Sequence, residues 1–141
     1  MKKNIFLLVV IFLFFYDIGL SEEVKLNEEV KKNGLIMEYY KSGALKAEWN
    51  YKDDQLQGLS KTYYENGKLK AEMNYKNGQA NGKVKEYDDN GYLVVVKDFK
   101  NDQLHGKYLS YYKNGQLEVE GYFEKGQNTG ISRRYYENGI L

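Results

Sequence analysis

After each Asn-Gly or Ser-Gly pair the chain alternates apolar and polar side chains. Leu45, Ala47, Trp49 and Tyr51 are separated by Lys46, Glu48, Asn50 and Lys52, and Leu69, Ala71, Met73 and Tyr75 by Lys70, Glu72, Asn74 and Lys76. A period of two predicts a strand with one face buried and the other wet. That alternation, the glycine density and the Asn-Gly pairs exclude helix. Two strands and two turns fit each unit, so the expected element is a β-hairpin, with strands at about 35–41 and 44–52 recurring every 24 residues.

The recurrence is strict. Gly34, Gly58, Gly82, Gly106 and Gly130 are 24 residues apart. Gly43, Gly67, Gly91, Gly115 and Gly139 keep the same interval, as do Tyr39, Tyr63, Tyr87, Tyr111 and Tyr135 and the leucines 45, 69, 93, 117 and 141. Tyr51, Tyr75, Phe99 and Phe123 add an aromatic series. Residues 34–141 therefore form a repeat domain of four full units and a partial fifth.

The turns have readable chemistry. In "KSGA", "ENGK", "DNGY" and "KNGQ" the glycine needs a positive φ, where a Cβ costs ~1–2 kcal/mol. The expected structural turn residues are thus Gly43, Gly67, Gly91, Gly115 and Gly139. A two-residue turn pairs Tyr40 with Leu45. A three-residue loop with Gly43 in the bulge position pairs Tyr39 with Leu45 and Met37 with Ala47, keeping the first tyrosine on the leucine face. The bulged form is the expected one. A second tight turn is expected at Asp54, Gly78, Asp102 and Gly126, all residue types that tolerate left-handed backbone.

The unit resembles the bacterial variant of the MORN repeat, the stretch "YYENGKLKAEMNYKNGQANG" (residues 63–82) being very close to that family's pattern. The resemblance implies an all-β, elongated, twisted antiparallel sheet of tandem hairpins. It also implies a binding or scaffolding role rather than catalysis. Some bacterial relatives carry an antitoxin label, which implies an alternative role: an antitoxin or immunity-type protein that binds one cognate toxin. The third copy departs from the pattern, with Asp88 in the second-tyrosine position and "LVVVKDF" where others read "LKAEMNY". Val94 and Val96 are expected on the Lys/Glu face, marking a doubly covered hairpin or an interaction patch.

The first residues change the picture by adding a compartment. Lys2 and Lys3 precede the apolar run Ile5 to Tyr16, and Gly19 and Ser21 put small side chains before a cut after Ser21. Twelve helical residues span ~18 Å, short of a ~30 Å hydrocarbon core. Residues 1–21 thus read as a cleaved signal peptide, giving an extracytoplasmic protein (periplasmic, cell-surface or secreted) with no stable membrane insertion after cleavage. Residues 22–33 lack the repeat and are expected to cap the first hairpin. Removing residues 1–21 takes away Lys2, Lys3 and Asp17, leaving 19 basic and 19 acidic side chains. That balance excludes the electrostatic footprint of a nucleic-acid binder. The chain has no Cys, so disulfides, thiolate metal sites and Cys nucleophiles are excluded.

Candidate chemistry is sparse. His105, the one histidine, occupies a polar turn position whose counterparts are Asn33, Gln57, Asn81 and Thr129, and it has no orienting partner for general-base work. Glu48, Glu72 and Glu120 recur with lysines beside them, as on a solvated face. The turn aspartates lack the ligand spacing of a calcium loop. No catalytic residue, metal or cofactor is expected, and the chain is expected not to be an enzyme. The second tyrosines, Tyr40, Tyr64, Tyr112 and Tyr136, are the recurrent feature expected on the outer face. They form either a platform for a protein partner or sugar rings, or cross-strand packing over lysine stems. Three roles are compatible with this chemistry: an exported protein-interaction or cell-envelope scaffold, the antitoxin-type protein, and a carbohydrate- or cell-wall-binding array, which the lone Trp49 weakens. The edge strand or apolar sheet face would also support a homo-oligomer.

Overall fold

The computed structural model describes residues 31–141. The expected signal peptide (1–21) and residues 22–30 of the expected cap lie outside the described residues. Eleven strands form one antiparallel sheet. They are β1 (Gly34–Tyr39), β2 (Leu45–Lys52), β3 (Gln55–Leu56), β4 (Gly58–Tyr63), β5 (Leu69–Lys76), β6 (Gln79–Tyr87), β7 (Leu93–Lys100), β8 (Gln103–Tyr111), β9 (Leu117–Glu124), β10 (Gln127–Asn128) and β11 (Arg133–Arg134). Each strand pairs with its chain neighbours, β3 and β4 sharing β2 and β10 and β11 sharing β9. The predicted ends of β1, β2, β4, β5, β7 and β9 lie within two residues of these, whereas β6 and β8 begin four residues before the expected 83 and 107.

The two turns of each unit are built differently. In the first, the Gly43 N–H donates to the Tyr40 carbonyl (3.0 Å) and the Tyr40 N–H to the Ala44 carbonyl (2.8 Å), closing a three-residue loop. The equivalent glycine at 67 has φ +83°, and a Cβ there would meet no atom within 4 Å. Strain alone therefore sets the penalty. Gly67→Val is expected to cost ~2 kcal/mol. Asn66→Ala, which loses the exposed bond Asn66 donates to the Asp89 carbonyl and the one it accepts from Lys68 N–H, should cost ~1 kcal/mol. Denaturant melts of the two variants check the order, and equal losses would mean that residue 67 relaxes out of the left-handed region. In the second turn both residues have positive φ, as at Asp53 (48°) and Asp54 (66°). This is the two-residue geometry whose twist suits adjoining strands.

One part of the expected register is wrong, and it rearranges both faces. Tyr39 pairs with Leu45, but Glu38 then pairs with Ala47 and Met37 with Glu48, not with Ala47. Lys46 is an extra residue, a bulge that recurs at each hairpin. A one-residue slip moves every later side chain of the strand to the other face. The row Ala47, Thr62, Ala71, Glu86, Val95, Ser110, Val119 forms one face. The row Glu48, Lys61, Glu72, Lys85, Val96, Leu109, Glu120, Arg133 forms the other. The first tyrosines and their leucines lie on the Glu/Lys face, and the second tyrosines on the Ala/Trp face, the reverse of the expectation. Val94 takes the bulge position, so only Val96 of that pair interrupts the charged row.

Most of the core sits on the Ala/Trp face, with Val96 buried on the other. Val84 is fully buried and Ala47 and Ser60 nearly so, in a single layer of strands. Neighbouring side chains supply the cover. Val84 lies between Met73 and Lys97. The Lys97 ammonium is 2.7 Å from the Glu86 carboxylate and 5.7 Å from the Phe99 ring centroid, which lays its apolar stem along this row.

Candidate functional site

Three of the four tyrosines expected to form a recognition row sit where one repeat meets the next. The Tyr40 hydroxyl donates to the Tyr63 carbonyl (2.7 Å), Tyr64 to Tyr87 (2.8 Å) and Tyr112 to Tyr135 (2.8 Å). Each phenol thus joins its own hairpin to the following one. The Lys70 ammonium stands 5.5 Å from the centre of the Tyr64 ring. These three tyrosines are half-buried, with their hydroxyls engaged in those bonds. Tyr136 differs, being 70% exposed. It lines an open cleft of about 480 Å³ with Tyr112, Arg134, Tyr135 and Leu141. The Arg134 guanidinium is held 2.9 Å from Glu118, which pushes its pKa further up. The cleft offers aromatic edges, a phenol and a cation.

Turn bonds reinforce the same edge. Asn66 Nδ2 donates to the Asp89 carbonyl (2.8 Å) and Asn114 Nδ2 to the Glu137 carbonyl (3.0 Å). Along the opposite edge, the N–H groups of Asp54, Gly78, Asp102 and Gly126 donate to the carbonyls of Lys32, Leu56, Ala80 and Leu104. Residues 31–33 join that edge, since Lys32 N–H donates to Asp54 Oδ1 (2.7 Å). Neither ladder was legible in the sequence. The one clue was the Tyr-Tyr pair, whose second member is replaced only in the third copy.

The Glu/Lys face is a cross-strand charge ladder. Lys85 lies 2.7 Å from Glu72 and Arg133 3.0 Å from Glu120. A groove of about 290 Å³ is lined by Leu59, Glu72, Asn74, Lys83 and Lys85. Burial, with the Glu48 carboxylate nearby, pushes the Tyr63 phenol above its ordinary range. The Tyr135 hydroxyl donates to Glu120 Oε1 at 2.8 Å. That bond and the Arg133 guanidinium hold the Glu120 carboxyl below the usual carboxylate range, and the same bond raises the Tyr135 phenol. A depressed carboxylate contributes stability above its unfolded pKa and loses it as pH falls through the folded one. A raised phenol contributes below its unfolded pKa and loses it as pH rises through the folded one. The β9–β11 contact is therefore expected to be tightest near neutrality. Amide exchange at Tyr135, whose N–H donates to the Glu118 carbonyl, measures it, and Glu120→Gln should flatten the acid side.

Among the described residues no three His, Cys, Asp or Glu side chains gather as a metal site, and His105 lies half-buried in β8. No helix among the described residues is long and apolar enough to cross a membrane.

The family model described as MORN repeat variant matches residues 32–53, 56–77, 80–101, 104–125 and 128–141. The gaps between matches fall on the second turns, so one matched unit runs from one such turn to the next. No curated protein matches the chain.

Proposed function

Because the chain belongs to the MORN repeat variant family through five matched repeats, we propose that it is an exported, non-enzymatic protein that binds a protein partner at the cell envelope. Repeats of this family indicate a repeat-based binding or scaffold role. The observation that supports the reading is the regularity of the surface. Five repeats stacked in one sheet present equivalent positions at 24-residue intervals on both faces, with a hydroxyl-to-carbonyl bond at three of the junctions between repeats. Such an array is an extended recognition surface rather than an enclosed reaction site. The Tyr136 cleft, with Arg134 beside it, is the most accessible anchor.

Export is carried by the residues before the repeats. Sequencing of the native protein is expected to start at Glu22 in an extracytoplasmic fraction. Intact Met1 in the cytoplasm would remove the envelope assignment. Binding is tested by capture on the mature chain from solubilised envelope protein and from peptidoglycan, each compared with a Tyr136→Ala, Arg134→Ala variant. Retention of a protein that the variant loses supports the proposal. Retention of peptidoglycan alone would replace it with wall binding.

A further inference from the structure

We propose that Asn90–Gly91, in the first turn of the third repeat, is a site of spontaneous isoaspartate formation, faster than the equivalent Asn66–Gly67 and Asn114–Gly115. Asn-Gly is the dipeptide in which the following backbone nitrogen attacks the Asn side chain most readily, because glycine has no Cβ to hinder it. The glycine nitrogen loses its proton to solvent and bonds to Asn Cγ, ammonia leaves, and a cyclic imide forms. Water then opens either imide carbonyl, giving Asp or isoAsp. The attack requires the side-chain amide to swing free of its partners, so the fold sets which copy reacts first.

In the second and fourth repeats both amide atoms are tied to backbone. Asn66 Oδ1 accepts from Lys68 N–H (3.0 Å) and its Nδ2 donates to the Asp89 carbonyl of the next repeat (2.8 Å). Asn114 does the same with Gln116 N–H (2.9 Å) and the Glu137 carbonyl (3.0 Å). The third repeat makes neither of these backbone ties, and Asp88 accounts for the one at Oδ1. Asp88 stands where the other copies have a tyrosine, and its Oδ1 accepts from both Asn90 N–H and Tyr92 N–H (2.9 Å each). Tyr92 N–H is the counterpart of Lys68 N–H, so Asn90 Oδ1 loses its backbone donor. Asn90 Nδ2 turns to the neighbouring Asp89 carboxylate (3.1 Å), not to a carbonyl of the fourth repeat.

Asp88 also removes the hydroxyl that would reach the Tyr111 carbonyl, so this junction lacks the phenol bond of the other three. One restraint is common to all copies. Gly67, Gly91 and Gly115 N–H each donate to the carbonyl three residues earlier at 2.9 Å, which cancels in a comparison. Asn138 keeps the Ile140 N–H bond to its Oδ1 (3.1 Å), which places it between the two classes. The product adds a carboxylate beside Asp88 and Asp89 and, in the iso form, lengthens the turn backbone at the least stitched junction.

The test uses the full chain in mildly alkaline buffer at body temperature. Peptide mapping by mass spectrometry scores the one-dalton gain at each Asn, and isoaspartate is separated by its retention. The same rates in urea-unfolded chain supply each site's baseline and absorb the effect of acidic neighbours. The folded-to-unfolded rate ratio at Asn90 is expected to exceed that at Asn66 and Asn114 by about fivefold, for the one backbone bond lost at its Oδ1. A ratio at Asn90 equal to or below theirs overturns the proposal, with no variant needed. A folded Asp88→Tyr variant should bring Asn90 down to the Asn66 ratio, and an unchanged ratio there also overturns it.

Discussion

Val84→Lys is expected to destabilise the repeat array by ~4 kcal/mol, against ~2 kcal/mol for Val84→Ala. Val84 has no exposed surface, although only one layer of strands is present. The alanine variant removes two methyl groups from a filled site. The lysine variant places an ammonium in that site directly across from Lys97, whose own charge is already engaged by Glu86. Like charges directly opposite on one face repel, and a desolvated cation without its own acceptor costs far more than a methyl-sized void. Because a domain of this size is stable by only ~5–15 kcal/mol, the lysine variant should lose much of its fold at ordinary temperature. Denaturant melts monitored at Trp49 and by far-UV circular dichroism measure both. A lysine variant no weaker than the alanine one would mean that the side chain escapes to water and that the Ala/Trp face is not closed at this point.

Gly106→Val should cost ~3 kcal/mol, more than the equivalent change at Gly67. Gly106 has φ +112°, and a Cβ there would stand 3.0 Å from Asp98 Cβ and 3.2 Å from Asp98 Oδ2. Backbone strain therefore adds to a contact that Asp98 must yield to. Asp98 has little freedom to yield, since its carboxylate is 3.3 Å from Lys83 Nζ and accepts from Lys107 N–H at 3.3 Å. Gly67 combines a similar strain with open space, so the difference between the two valine variants isolates the Asp98 contact. Restoring the loss at Gly106→Val with Asp98→Ala would locate the penalty at that side chain. No restoration would assign it wholly to the backbone.

Much of the fold is legible from spacing because it depends on local chemistry. The 24-residue interval, the alternation after each Asn-Gly and the turn glycines each result from what one or two residues can do with their own backbone. Tyr39 stands opposite Leu45, as follows from the bulged turn that keeps the first tyrosine on the leucine face. The candidate site was less legible. The recurrence of Tyr40, Tyr64 and Tyr112 is legible in the sequence, but their place on the Ala/Trp face and their hydroxyl partners in the next repeat are not.

By itself the sequence determined the class of the protein: repeated hairpins with a charged row and a tyrosine series. Tertiary structure alone decided which groups share a face, because the bulge at Lys46 and its counterparts carries no residue signature. Lysine, valine and glutamate all occupy that position, at 46, 70, 94 and 118. An extra residue in one strand reverses every side chain beyond it while leaving the hydrophobic alternation within the strand intact. The bonds between repeats were likewise decided in three dimensions, since a hydroxyl finds a carbonyl 23 residues away only after two hairpins have stacked.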